Sequence, residues 1–336
     1  MAPSSHHTLA LGDVALECGG VLRDAQLAYR TWGQLNDRAD NCVVFPTYFT
    51  GNHDSNARLI GAGRALDPDR WFIVVPNLFG NGRSTSPSNA APGQRGADFP
   101  LVTVRDNVRC QHRLLVDTLG VRAIALALGW SMGALQAYQW AVSYPGLVKA
   151  LLPICGAARC APHNAVFLEG LRACLRADAD WQGGRYTVPP VGGLKAFGRV
   201  YAGWAYSQKF YREHRYRDLG FDSVEALLRF WEDDHLAWDP NDLVAKLATW
   251  EAADPGRGVE GGLGAVLGQI QARTLVMPGD RDLYFTLEDN AAEAALVPGA
   301  ELRPLASVYG HCAGAPGRFP EETAFIERAI RELLET

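Results

Sequence analysis

Apolar and polar positions alternate from residue 8 to 35, as in Val14-Ala-Leu-Glu-Cys18 and Ala25-Gln-Leu-Ala-Tyr-Arg-Thr-Trp32, with Gly19-Gly20 between the two runs. A period of two broken by glycines predicts an antiparallel strand pair with a glycine turn. Two compact apolar runs follow, at 42–45 and 71–75, short and continuous enough for buried parallel strands. Residues 52–70 between them are mixed and read as loop, and the Asn-, Gly-, Ser- and Pro-rich residues 76–100 read as a long functional loop. Val104, Val108, Leu114, Leu115 and Leu119 then fall at helical spacing, with Gly120 closing the helix. Residues 123–145 read as a buried strand, a very short turn and a helix, and 148–154 as the next buried strand.

This strand–helix rhythm implies βαβ units, a mostly parallel sheet and helices on both faces. It breaks at Gly156. From there to about residue 267 no strong strand signal occurs; helical runs occupy 166–176 and 223–231, and tyrosines and tryptophans crowd in. The rhythm resumes with a strand at 273–277, a helix near 288–296, a strand at 300–305 and a last helix at 321–334. The expected organisation is one α/β core domain, residues 1–155 and 268–336, interrupted by a helical cap at 156–267.

At 336 residues, with 48% hydrophobic and 21% charged residues, the composition is that of a soluble globular protein. A net charge of −5 gives no basic footprint for nucleic acid, and no apolar run is long enough for a membrane span. The N-terminus lacks a basic stretch followed by an apolar one, and His6 and His7 are expected to lie in a frayed end. Seven cysteines without CxxC pairing fit free thiols in a reducing cytoplasm. No histidine spacing suits a metal, so neither metal nor cofactor is expected.

The chemistry centres on Gly129-Trp130-Ser131-Met132-Gly133, a G-x-S-x-G at a strand-to-helix turn. In that setting the pattern is a nucleophile elbow, which lifts the serine hydroxyl above the sheet. A serine needs a base, and the base an orienting carboxylate. His311, before the last helix, is the only histidine after His235. The acid is Asp280 or Asp282, both in the loop after the 273–277 strand; spacing from Gly279 favours Asp282. An oxyanion needs two backbone donors. Met132 supplies one, and the other comes from Pro46-Thr-Tyr-Phe-Thr-Gly51, with Phe49 preferred over Tyr48 and Thr50. Glu232-Asp-Asp-His235 reads as a solvated face.

These segments, together with Asn81-Gly-Arg-Ser-Thr-Ser-Pro87 and Asp282-Leu-Tyr-Phe285, resemble the homoserine O-acetyltransferase family of α/β-hydrolases over nearly the whole chain. The resemblance implies the α/β-hydrolase fold, Ser131, Asp282 and His311 as a triad, Phe49 and Met132 as oxyanion donors, and a homodimer through cap helices. Three departures matter. The family's G-H-D is Gly310-His-Cys312 here, its H-A-L-T-G is Thr47-Tyr-Phe-Thr-Gly51, and Trp130 precedes the serine. Cys312 cannot offer an aspartate's charge to a substrate ammonium group, while Tyr48 and Trp130 add aromatic surface to the pocket. The pattern resembles the family's esterase subgroup, which implies hydrolysis of short-chain esters. Acetyl transfer from acetyl-CoA to homoserine is the alternative, with Arg212, Arg215 and Arg217 as candidate basic groups for the donor.

Overall fold

The computed structural model describes residues 6–335. Strands β1 (His7–Ala15) and β2 (Val21–Trp32) form the expected antiparallel pair, with Ala15 opposite Val21 and the Leu16 N–H donating to Gly20 across the turn at 3.1 Å. His7 is not frayed: it opens β1 opposite Tyr29.

The chain continues through β3 (Cys42–Val44), the short α1 (His53–Asn56), β4 (Phe72–Pro76) and α2 (Val104–His112), which widens into a π-turn at Arg113–Thr118. Then come β5 (Ile124–Trp130), α3 (Met132–Ser143) and β6 (Ala150–Ile154). Between β6 and β7 the described residues form helices: α4 (Pro162–Arg176), α5 (Val191–Ala205), α6 (Gln208–Arg212), α7 (Val224–Leu236), α8 (Pro240–Glu251) and α9 (Gly262–Leu267). The chain ends with β7 (Arg273–Val276), α10 (Leu287–Ala294), β8 (Glu301–Leu302) and α11 (Pro320–Leu334).

The eight strands form one sheet in the order β1-β2-β4-β3-β5-β6-β7-β8, parallel from β4 onward. Because side chains alternate across a strand, each face feeds its own core. Cys42, Val44, Val74 and Ala127 pack with Val108, Leu115, Leu135 and Tyr138 of the α2–α3 side. Val43, Ile73, Val75, Leu126 and Leu152 pack with Ile326, Ile330 and Leu333 of α11. Each such aliphatic side chain, fully withdrawn from water, contributes about 1.5–3 kcal/mol.

Three local readings change. Helix α5 (VGGLKAFGRVYAGWA) carries four glycines, which mask its helical character in the sequence. One of them is a packing requirement: a Cβ at Gly198 would overlap the Trp231 carbonyl of α7. Strand β8 is shorter than the strand expected at 300–305, although the Leu305 N–H still reaches Pro278 O at 2.7 Å. Residues 76–100 are structural: Ser84 Oγ donates to Asn77 O at 2.8 Å, Ser88 Oγ donates to Asp242 of α8 at 2.7 Å, and none of them lines the cavity described below. No helix among the described residues is long and apolar enough to cross a membrane.

Candidate active site

Strand β5 runs into α3 with one residue, Ser131, between them. Its backbone sits at φ 59°, ψ −126°, a conformation that costs a non-glycine residue about 1–3 kcal/mol. The turn closes because its neighbours are bare. A Cβ at Gly129 would overlap the Gly133 carbonyl, and one at Gly133 would lie 2.8 Å from Pro46 O. The Ser131 N–H is tied to Ile154 O of β6 at 3.1 Å, so the turn hangs on two central strands. Met132 opens α3, placing the positive end of that helix beside the hydroxyl.

The carboxylate beside His311 is Asp282. His311 Nδ1 donates to Asp282 Oδ2 at 2.7 Å, and Asp282 Oδ1 accepts from the Tyr284 and Phe285 N–H groups at 2.8 and 3.2 Å. Asp280 points elsewhere and accepts from the Ser307 N–H at 2.9 Å. The imidazole is also wedged by rings. Trp130 stacks on it at 5.1 Å, Tyr284 meets it edge-on at 4.6 Å, and Trp130 Nε1 donates to the His311 carbonyl at 3.1 Å. Ser131 and His311 face the same cavity without a direct hydrogen bond, as is common before substrate binds.

The Phe49 and Met132 N–H groups donate to no protein acceptor among the described residues. The Phe49 side chain is buried against Tyr201 of α5, at 5.6 Å between ring centroids, which fixes the loop that carries its N–H. Tyr48 packs edge-on to Trp130 at 4.4 Å.

These groups surround one cavity of about 330 Å³, lined by Tyr48, Phe49, Trp130, Ser131, His311 and Cys312. Cys312 is buried, and its thiol is pushed up to about 11 by burial, with Arg318 pulling the other way. It is therefore a neutral group at neutral pH. Arg212, Arg215 and Arg217 do not line this cavity; Arg215 instead pairs with Asp218 at 2.7 Å.

Three charged residues escaped the sequence reading. Asp234 of α7, Arg58 and Arg318 all line the cavity. The run 232–235 is thus not simply a solvated face. Trp231 and Asp234 line the cavity, and His235 is fully buried. The i, i+3, i+4 spacing of positions 231, 234 and 235 was the available signal. Burial raises the Asp234 carboxyl above its usual range, against the pull of Arg318 and Lys246. No motif marks Arg58 or Arg318.

A strained serine at a strand–helix turn, a buried His–Asp pair and free backbone donors on this sheet define the class. The chain belongs to the α/β hydrolase fold family, whose pattern matches residues 41–313. It lies in the homoserine O-acetyltransferase-like branch of that family, on its esterase side. It is 36% identical to an ethyl acetate hydrolase of Pseudomonas veronii, over 90% of this chain and 87% of the relative. It is 33% identical to a homoserine O-acetyltransferase of Trichormus variabilis, over 88% and 86% of the two chains. The crystal structure of an acetylester hydrolase from Corynebacterium glutamicum superposes with a TM-score of 0.95 at 36% identity, covering 99% of this chain and 96% of that one. Fold, site and relatives together make the chain an enzyme, a carboxylic-ester hydrolase.

Proposed function

We propose that the protein hydrolyses short-chain, acetate-type esters through an acyl-enzyme on Ser131. His311 takes the Ser131 proton as Oγ attacks the ester carbonyl. Asp282 holds the imidazole with Nδ1 protonated and steadies the imidazolium that forms. The carbonyl oxygen, now negative, accepts from the Phe49 and Met132 N–H groups. His311 then protonates the leaving alcohol, and water, activated by the same base, releases the acid and frees Ser131. The observation that carries this reading is the 2.7 Å His311–Asp282 bond beside the cavity that Ser131 faces. A small cavity narrowed by Tyr48 and Trp130, and the names of the esterase relatives, support a short acyl group.

Water rather than an amino-acid alcohol ends the acyl-enzyme in this reading, because Cys312 offers an ammonium group no charge. One observation favours the second reading, acetyl transfer: Asp234 places a carboxylate in the same cavity. Steady-state turnover of an acyl-ester series, set against acetyl-CoA plus homoserine, separates them. Homoserine acetylation exceeding hydrolysis of a simple acetate would overturn the esterase reading.

Residues 156–267 serve in this reading as the cap that shapes the cavity, through Tyr201 of α5 and Asp234 of α7. A homodimer through these helices is supported by exposed Val166, Val191, Val224 and Phe230, and light scattering tests it. Seven free thiols support a cytoplasmic location.

A further inference from the structure

We propose that the alcohol half of the natural ester carries a carboxylate, held by Arg58 and Arg318. The inference rests on the esterase reading above and adds the substrate class: acetate esters of small hydroxy-carboxylic acids.

Two guanidinium groups line the cavity that holds Ser131. They belong to adjoining loops: a side chain at Gly317 would lie 2.9 Å from Arg58 Cβ, so the loop after His311 is pressed against the end of the α1 region. The phenol of Tyr48, at the nucleophile's wall, feels the charge of both. Two cations lining one cavity favour an anion that both can reach. Among the described residues neither arginine has a carboxylate oxygen within 4.0 Å. Arg318 donates to the Tyr206 hydroxyl at 3.0 Å and lies 5.4 Å from the Phe319 ring, which fixes its plane, while Asp234 offsets part of its charge without forming an ion pair. Among the described residues Asp234 is the one carboxylate in the lining away from the His311–Asp282 pair, and the neighbouring His235 ring, lowered to about 4 by burial, gives it no cation at neutral pH. The cavity therefore carries two positive groups against one negative.

An acetyl group occupies little of about 330 Å³, so the remaining space, and with it the arginine wall, falls to the alcohol half. Guanidinium forks match a carboxylate's two oxygens, and such charge-assisted bonds are about twice as strong as neutral ones. A plain alkyl alcohol would bring no anion to either guanidinium.

The test compares 3-acetoxypropanoate with propyl acetate, equal in chain length and different in charge, on the full-length enzyme. Wild type is expected to favour the anionic ester in kcat/KM, mainly through KM, with the preference shrinking as salt rises. Arg58→Gln and Arg318→Gln are each expected to lower that preference about tenfold, and Arg318→Lys to restore part of it. Thermal melting reports whether each variant is folded; should Arg318→Gln not fold, exposed Arg58 decides alone. Equal turnover of the two esters by wild type, or an unchanged preference in folded Arg58→Gln, overturns the inference and leaves the esterase reading standing. Turnover of neither ester removes that reading, and the inference with it.

Discussion

Replacing Asp282 by asparagine probes the site at its narrowest point. Asp282 Oδ1 accepts from two backbone donors, the Tyr284 and Phe285 N–H groups at 2.8 and 3.2 Å. An asparagine must keep its carbonyl oxygen there, because turning its NH₂ towards two N–H groups would leave three buried donors unpaired. Its NH₂ therefore faces His311 Nδ1, 2.7 Å away in the wild type. Nδ1 becomes an acceptor, the ring proton moves to Nε2, and Nε2 loses the lone pair that must take the Ser131 proton. The exchange of roles costs about 10⁴ in kcat where this geometry operates, or about 5.4 kcal/mol of barrier at about 1.36 kcal/mol per decade. Hydrolysis of 4-nitrophenyl acetate gives the rate, and ¹⁵N chemical shifts of His311 give the tautomer. The fold is expected to survive, since the backbone acceptors are kept. A kcat within tenfold of wild type would refute the reasoning, and so would a His311 still protonated at Nδ1.

Other consequences follow from the same geometry. Ser131→Gly removes the proposed nucleophile and releases the strain at φ 59°; activity is expected to be lost while urea unfolding shows a gain of about 1 kcal/mol, the strain less glycine's extra unfolded entropy. Gly129→Ala forces a Cβ into the Gly133 carbonyl, where only backbone could yield; the expected outcome is loss of soluble folded protein, read by expression and circular dichroism. Glu293 of α10 accepts from the Ala158 N–H at 2.6 Å, and burial raises its carboxyl to about 7. A carboxyl raised above its unfolded value stabilises most at low pH and loses that contribution as pH rises through the folded value. From pH 5 to 8 urea unfolding should therefore show stability falling by up to about 3 kcal/mol from this group, a slope that Glu293→Gln removes.

The elements that position Ser131 were the most legible, because their signals are local. A buried β5, a turn of two glycines and a serine, and the start of α3 are written in eleven consecutive residues, 124–134. The βα rhythm then led to the loops after β7 and before α11, where Asp282 and His311 sit. Charge in the cavity was not legible in the same way. Asp234 lies inside an acidic run whose exposed members dominate its appearance, and only the helical register turns it inward. Arg58 and Arg318 are 260 positions apart and come to one cavity wall where Gly317 lets two segments touch. Helix α5 was hidden for a related reason. Its glycines lower helix propensity, yet one of them admits the Trp231 carbonyl of α7, so tertiary packing overrides the local preference.

The central claim is that an acyl group passes through Ser131 and leaves to water. Rapid-quench mass spectrometry during turnover of an acetate ester, with peptide mapping, addresses it directly. The account predicts one acetyl group on the peptide containing Ser131, decaying at the steady-state rate in buffer alone and no faster with homoserine. An acetyl group absent from that peptide, or one that persists until homoserine is added, would contradict it.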